Sequence, residues 1–337
     1  MTSDRRQGEP LQGEEAIIQL LAPLAQGAPG ALGLQDDCAL LTPAPGTELV
    51  LKTDPVAEGV HFLPDDVPEG IAWKALAVNV SDLAAKAARP IGYLMALSFP
   101  ESPAVAWLTR FASGLRAAQS AFGCHLLGGD TDRRPGPLTI SITIVGEVET
   151  GRMVRRATAR PGDALFVSGT LGDATLGLML RKDPTLADRW QLSAAEADHL
   201  RGRYVRPQPR LGLALALRTY ASAAMDVSDG LAKDLGHMCK ASGSAARVRL
   251  ADLPLSPAAA KVLAADSSLG PRIATGGDDY EVLAAVPASN SGAFQSMAAQ
   301  AAVAVARIGV MLSGSGTVIE GHDGQPVSLD RAGWDHF

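Results

Sequence analysis

In both halves of this chain, short apolar runs bounded by glycine and proline alternate with longer stretches whose apolar residues recur at helical spacing. That alternation restricts the fold to α/β or α+β layers. At 337 residues the chain also exceeds the length over which a single core keeps growing, so two domains are expected, residues 1–150 and 151–337. In the first, helices are expected over 14–25, Ile71–Ala88 and Val105–Phe122, and strands over Cys38–Leu41, Leu49–Thr53, Ile91–Phe99 and Leu138–Val148, with a further strand closing at Gly128. Residues 55–70, with Pro55, Pro64 and Pro68, read as a long loop. In the second, strands over Ala164–Val167, Ala223–Val227, Arg247–Leu250, Tyr280–Val286, Val303–Gly309 and Gly316–Glu320 alternate with helices over Ala174–Leu180, Leu211–Ala221, Gly230–Ala241, 256–265 and 290–302.

Composition excludes several classes of function. A hydrophobic content of 47% is too high for disorder. Aromatic residues make up 4% and the net charge is −6, which argues against a nucleic-acid partner. Three widely spaced cysteines give neither a disulfide framework nor a zinc ribbon. The polar stretch Met1–Gly13 has no apolar signal-peptide core, and no run is long enough to span a membrane. A soluble, cytoplasmic protein is expected.

Aspartate recurs at turns and element ends: Asp36-Asp37, Thr53-Asp54, Ser81-Asp82, Gly128-Gly129-Asp130, Asp226-Val227-Ser228-Asp229-Gly230 and Gly276-Gly277-Asp278-Asp279. One such site is ordinary turn chemistry. Several delivered to one place repel each other unless a cation sits among them, and Mg²⁺ is the cation that takes hard oxygen ligands beside phosphates. The chain carries no P-loop, no dinucleotide fingerprint, no protein-kinase motif set and no H-E-x-x-H. Phosphates would have to be held by metal ions and backbone amides.

Individually these sites stay open to two readings. Lys52 and Asp54 face one side of a strand, so Lys52 is either an ion-pair partner or a cation inside a site. Asn79 and Asp82 share a helix face that meets water, metal or a partner. Ser228 or Asp229 would cap the following helix, and the same helix N-terminus would attract phosphate. Arg155, Arg156 and Arg160 are either solvated or a fork for phosphate. Trp334, near the C-terminus, either packs or stacks on a ligand.

Taken in order, Asp36-Asp37-Cys-Ala-Leu-Leu, Thr53-Asp54, Gly59-Val-His61-Phe62, Trp73 through Asp82-Leu-Ala-Ala, Leu127-Gly-Gly-Asp130-Thr, Asp226-Val-Ser-Asp229-Gly-Leu, Gly276-Gly-Asp-Asp279-Tyr-Glu and Gly333-Trp334-Asp-His-Phe resemble the thiamine-monophosphate kinases. The resemblance covers nearly the whole chain. It implies the two-domain fold of the aminoimidazole ribonucleotide synthetases, with the N-terminal domain forming a homodimer. It further implies ATP- and Mg²⁺-dependent transfer of a phosphoryl group to thiamine monophosphate. By the same resemblance Asp37, Thr53, Asp54, Asp82, Asp130 and Asp226 would hold Mg²⁺, with Asp229 on a further ion. Gly129, Asp130, Arg156 and Ser228 would contact ATP, and His61, Asp278 and Trp334 would hold thiamine monophosphate, His61 on a lid.

The chain departs from the family at Gln35 (commonly glycine), Lys52 (commonly a small hydroxyl residue), Lys86-Ala87 (commonly Met-Gly) and Asp278 (commonly Glu). Lys52 would there displace one magnesium and supply its charge. Two rivals are a non-catalytic nucleotide-binding paralogue and another ATP-dependent synthetase of the superfamily. A selenophosphate synthetase-like enzyme would carry a reactive cysteine near the N-terminus, and no cysteine precedes Cys38.

Overall fold

Strand alternation in the first half produces β1 (Thr47–Ala57), β2 (Arg89–Phe99), β3 (His125–Arg133) and β4 (Thr139–Glu149), joined in one sheet in the order β1-β4-β2-β3. The structure is a computed structural model that describes residues 8–321, 323–329 and 332–335. β4 runs antiparallel to β1 and β2, and β3 runs parallel to β2. Helices α1 (Glu14–Leu21), α2 (Pro68–Ala85) and α3 (Val105–Phe122) accompany this sheet.

Val56, Tyr93, Met95, Leu97, Ile140, Ile142 and Ile144 are buried on one sheet face. α2 is apolar on nearly every side and buried accordingly, with Leu76, Val80 and Leu83 wholly enclosed. Its Trp73 meets Phe122 of α3 edge-on, with ring centroids 5.1 Å apart. The opposite sheet face is open and exposes Leu49, Leu51 and Leu94.

The chain divides into two units, one built from residues up to Leu83 with Ala88–Gly151, the other from Ala84–Ala87 with the chain from Arg152 onward. In the second lie, in chain order, β5 (Ala164–Ser168), α4 (Asp173–Lys182), α5 (Leu186–Arg189), α6 (Ala194–Val205), α7 (Ala214–Tyr220), β6 (Ala223–Val227), α8 (Leu231–Ser242), β7 (Ala245–Arg249), α9 (Pro257–Ala265), α10 (Gly270–Thr275), β8 (Glu281–Val286), α11 (Ser291–Gln300), β9 (Val305–Leu312) and β10 (Gly316–Glu320). The six strands form one sheet in the order β10-β7-β9-β5-β8-β6.

Strands β5, β6 and β8 are buried throughout because helices cover both faces. Alternate residues therefore enter different cores. Leu165, Val167, Met225, Val227 and Leu283 join one, which includes Leu176, Leu200, Leu235 and Val262 of the helices. Ala164, Phe166, Ala224, Val282 and Ala284 join the other, with Leu217 and Phe294.

The fold corrects several sequence expectations. Cys38–Leu41 is irregular, not a strand; Leu40 is 68% exposed and its N–H donates to Gly30 O. The loop expected over 55–70 is shorter, because β1 continues through Pro55 to Ala57 and α2 starts at Pro68. Proline is tolerated there because β1 is an edge strand. Gly128-Gly129-Asp130 does not close a strand but lies inside β3. Helices α5, α6 and α10 were not anticipated, although Ser193 and Glu196 form a complete capping box at the start of α6. Among the described residues no helix is long and apolar enough to cross a membrane.

Candidate active site

In the first unit, strand alternation turns Lys52 and Asp54 to the same side of β1, facing α2. Lys52 Nζ lies 3.1 Å from Asp54 Oδ2 and 2.8 Å from Asp82 Oδ2. Burial pulls the Lys52 ammonium down, but the charges and hydrogen bonds of Asp82 and Asp54 outweigh it and hold the group protonated above lysine's ordinary range. Asn79, fully buried on α2, accepts the Asp54 backbone N–H at 2.9 Å and donates to Ala75 O at 3.0 Å. The polar face of α2 thus meets β1, not solvent, and fixes where the Asp54 carboxylate starts.

Thr53 turns the other way, and its hydroxyl accepts from Thr143 Oγ1 at 3.0 Å on the open sheet face. The structure therefore separates the Thr53 side chain from the Asp54 pair, as period-two geometry requires. Asp37 is exposed on the irregular segment before β1. Asp130 is exposed on β3, with Oδ1 accepting from Thr131 N–H at 2.8 Å. β1 and β3 are the two edges of the sheet, three strand spacings or roughly 14 Å apart along it. The adjacent Gly129 permits a close strand approach: a side chain there would put Cβ 1.8 Å from Met95 O. His61 lies in the segment between β1 and α2, and its Nδ1 accepts the Ala57 N–H at 3.0 Å. Phe62 beside it is buried.

In the second unit the turn after β6 organises the predicted residues. Asp226 is buried at the end of β6, paired in register with Val282. Asp234, a residue the sequence reading passed over, accepts the Ser228 and Asp229 backbone N–H groups, both at 3.0 Å, through Oδ2. Burial, reinforced by the charge of Asp229, pushes Asp234 up to about 7. Neither Ser228 nor Asp229 caps α8; the N-cap position is Gly230, which offers no side chain. The amides expected to meet phosphate at this turn are thus held, two of them, by a carboxylate of the first helical turns. Its sequence signal was an acid placed early in the helix. Asp229 itself pairs with Lys233 at 3.0 Å.

Two more predicted residues close on this turn. Asp278 N–H donates to Ser228 O and Trp334 N–H to Asp229 O, each at 2.8 Å. Trp334 is 49% exposed, and Lys233 also reaches its carbonyl. Ser228, Asp229, Asp278 and Trp334 therefore gather around one loop, whereas His336 and Phe337 lie outside the described residues. Arg156 is exposed and its carbonyl accepts from Ser242 Oγ at 3.0 Å.

The acids after Asp278 do different work. Asp279 is enclosed and accepts the Gly172 N–H. Burial, with the charges of Asp173 and Glu281, raises its carboxyl well above the ordinary range. Glu281 is enclosed as well, held by Arg203 at 2.8 Å, by Arg210 and by Ser168 at 2.6 Å.

Among the described residues no three acidic, histidine or cysteine side chains assemble a ready metal cage. Magnesium seldom needs one, since it is commonly held by one or two carboxylates and the substrate phosphates. Asp54 and Asp82 supply two such carboxylates from β1 and α2, and the point their Oδ2 atoms share is taken by the Lys52 ammonium.

Both halves match models of AIR synthase related proteins, residues 35–148 the N-terminal domain and 160–322 the C-terminal domain. That fixes the class: a two-domain α/β protein of the AIR synthase type. The thiamine-monophosphate kinase of Caulobacter vibrioides is 44% identical over 95% of this chain and 89% of its own. That of Escherichia coli K12 is 42% identical over 91% of this chain and 92% of its own. Among solved structures, thiamine-monophosphate kinase from Stenotrophomonas maltophilia K279a superposes with a TM-score of 0.83 at 38% identity, covering 94% of this chain and 98% of the other. AaThiL complexed with AMPPCP and TMP gives 0.75 at 32% identity, covering 96% and 97%. The chain belongs to the thiamine-monophosphate kinase family.

Proposed function

We propose that this protein transfers the γ-phosphoryl group of ATP in line to the phosphate of thiamine monophosphate, giving thiamine diphosphate and ADP. What carries the reading is family membership over 95% of the chain, together with two carboxylates, Asp54 and Asp82, brought side by side from β1 and α2. A phosphomonoester is mostly dianionic at neutral pH, with its second pKa near about 6, so its oxygen needs no general base. None of the candidate residues is asked to serve as one. The obstacle is repulsion between two anions, and Mg²⁺, when bound, would supply the positive charge that offsets it.

Asp37, Thr53, Asp54, Asp82, Asp130 and Asp226 would hold these ions, with Asp229 on a further one. Thr53 would contribute through its main chain, since its hydroxyl faces Thr143. Gly129, Asp130, Arg156 and Ser228 would bind ATP. His61, Asp278 and Trp334 would position thiamine monophosphate, and the hydrogen bonds of Asp278 and Trp334 to neighbouring carbonyls support a shared role. The enzyme would work in the cytoplasm.

A homodimer accounts for the open sheet face, where Leu49, Leu51 and Leu94 are 37%, 66% and 42% exposed. It would also reconcile Asp54 and Asp130 on opposite sheet edges, because a second copy can bring its Asp130 beside the first copy's Asp54. Co-expressed Asp54→Asn and Asp130→Asn chains would then regain a measurable part of the activity that each lacks alone. No recovery in the mixed dimer would place both carboxylates in one copy.

The direct test supplies Mg-ATP and thiamine monophosphate and follows both products. ADP and thiamine diphosphate should appear in equal amounts. ATP binding without either product would favour a nucleotide-binding paralogue.

A further inference from the structure

Lys52 occupies the centre of the carboxylate group in the first unit. The two acids it joins come from different elements, Asp54 from β1 and Asp82 from α2, and each turns Oδ2 to the same nitrogen, at 3.1 and 2.8 Å. Asn79 ties the backbone of Asp54 to α2 with a 2.9 Å hydrogen bond, so the separation of the two carboxylates is held by the fold and not by the lysine. A point shared by two carboxylate oxygens so positioned is a cation site by geometry, and here an ammonium fills it.

We propose that the Lys52 ammonium is a tethered cation of the active centre, standing where a divalent ion bridging Asp54 and Asp82 would otherwise sit. The inference rests on the metal-dependent reading above. Its consequence is a count: each subunit loads one divalent ion fewer than it would with a small residue at position 52. The charges point the same way. Asp54, Asp82 and the ammonium sum to −1; without the lysine the pair stands at −2, enough to recruit and neutralise a divalent ion. A second cation cannot enter between the same two oxygens while Nζ is there, because like charges at that range repel. Being covalently attached, the ammonium stays in place at any free-metal concentration.

The test counts ions. Mn²⁺ is titrated into wild-type protein, Lys52→Ser and Lys52→Arg, each with AMPPCP and thiamine monophosphate, and bound ions per subunit are read by electron paramagnetic resonance. Thermal melts check that each variant folds, and Lys52→Gln, close in length, serves in the same way if Lys52→Ser does not. Lys52→Ser should bind one more ion per subunit than wild type, while Lys52→Arg, which keeps the charge, should match wild type. The free Mg²⁺ needed for half-maximal turnover should also rise in Lys52→Ser. Equal, non-zero counts in wild type and Lys52→Ser would overturn this inference and leave the metal reading standing. No bound ion in either would overturn both.

Discussion

Gly-Gly-Asp occurs in each half of the chain, and the two copies end in opposite surroundings. In β3 the motif continues a strand and leaves Asp130 exposed, its Oδ1 accepting the N–H of the next residue. Before β8 it makes a turn in which Asp278 takes φ +71°, and the following Asp279 is sealed against Gly172. Even the glycines serve different ends. Gly129 lets β3 approach the Met95 carbonyl, whereas Gly277 lets its turn pack on the Ser228 carbonyl, 2.7 Å from where a Cβ would stand. An acid after two glycines is therefore no chemical assignment. What faces it decides: solvent for Asp130, the buried Gly172 amide and the charges of Asp173 and Glu281 for Asp279.

The comparison predicts that substitutions split cleanly between activity and stability. Asp54→Asn and Asp130→Asn should each lower kcat on the order of 10²-fold or more while the unfolding midpoint stays put; near-normal turnover would remove them from the reaction. In the second unit the loss should be structural. Glu281→Ala strands Arg203 and Arg210 and should cost about 3–5 kcal/mol in urea unfolding. A variant as stable as wild type would show that water replaces the carboxylate.

A smaller effect concerns pH. Because the Asp279 carboxyl is raised in the folded protein, the folded state holds its proton more tightly than the unfolded chain does. Its stabilising contribution is complete below the unfolded value near about 3.9 and is lost as pH rises through the folded value. Measured against Asp279→Asn in urea at several pH values, wild-type stability should fall with rising pH above about 4. The opposite slope would mean that Gly172 and Arg203 keep the carboxylate charged.

The smallest effect lies where α2 ends. Gly123 and Gly243 follow α3 and α8 at φ +70° and +61°, but the corresponding left-handed position after α2 is Ala87, at φ +58°. Ala87→Gly should stabilise the protein by about 1 kcal/mol, read as a higher melting temperature. An unchanged or lower melting temperature would show that packing of the Ala87 methyl outweighs the backbone strain.

Legible in the sequence alone were the alternating elements, the presence of two units and the candidate carboxylates, because period-two and helical spacing, turn residues and ordered motifs are all local. The β1 residues Lys52 and Asp54 were placed on one side by that rule alone. Tertiary structure decided which acids are enclosed. Glu281 meets Arg203 and Arg210 across more than seventy residues, and Asp82 meets Lys52 across thirty, and no local pattern announces either contact. It also decided that β3 runs on through two glycines, since pairing with β2 outweighs their weak strand preference, and that Cys38–Leu41, apolar but unpaired, forms no strand. Asp234 went unread for the same reason. Its task is set by two amides that turn toward it only once the chain after β6 has folded back, and burial, which no sequence displays, is what moves a carboxyl group's chemistry.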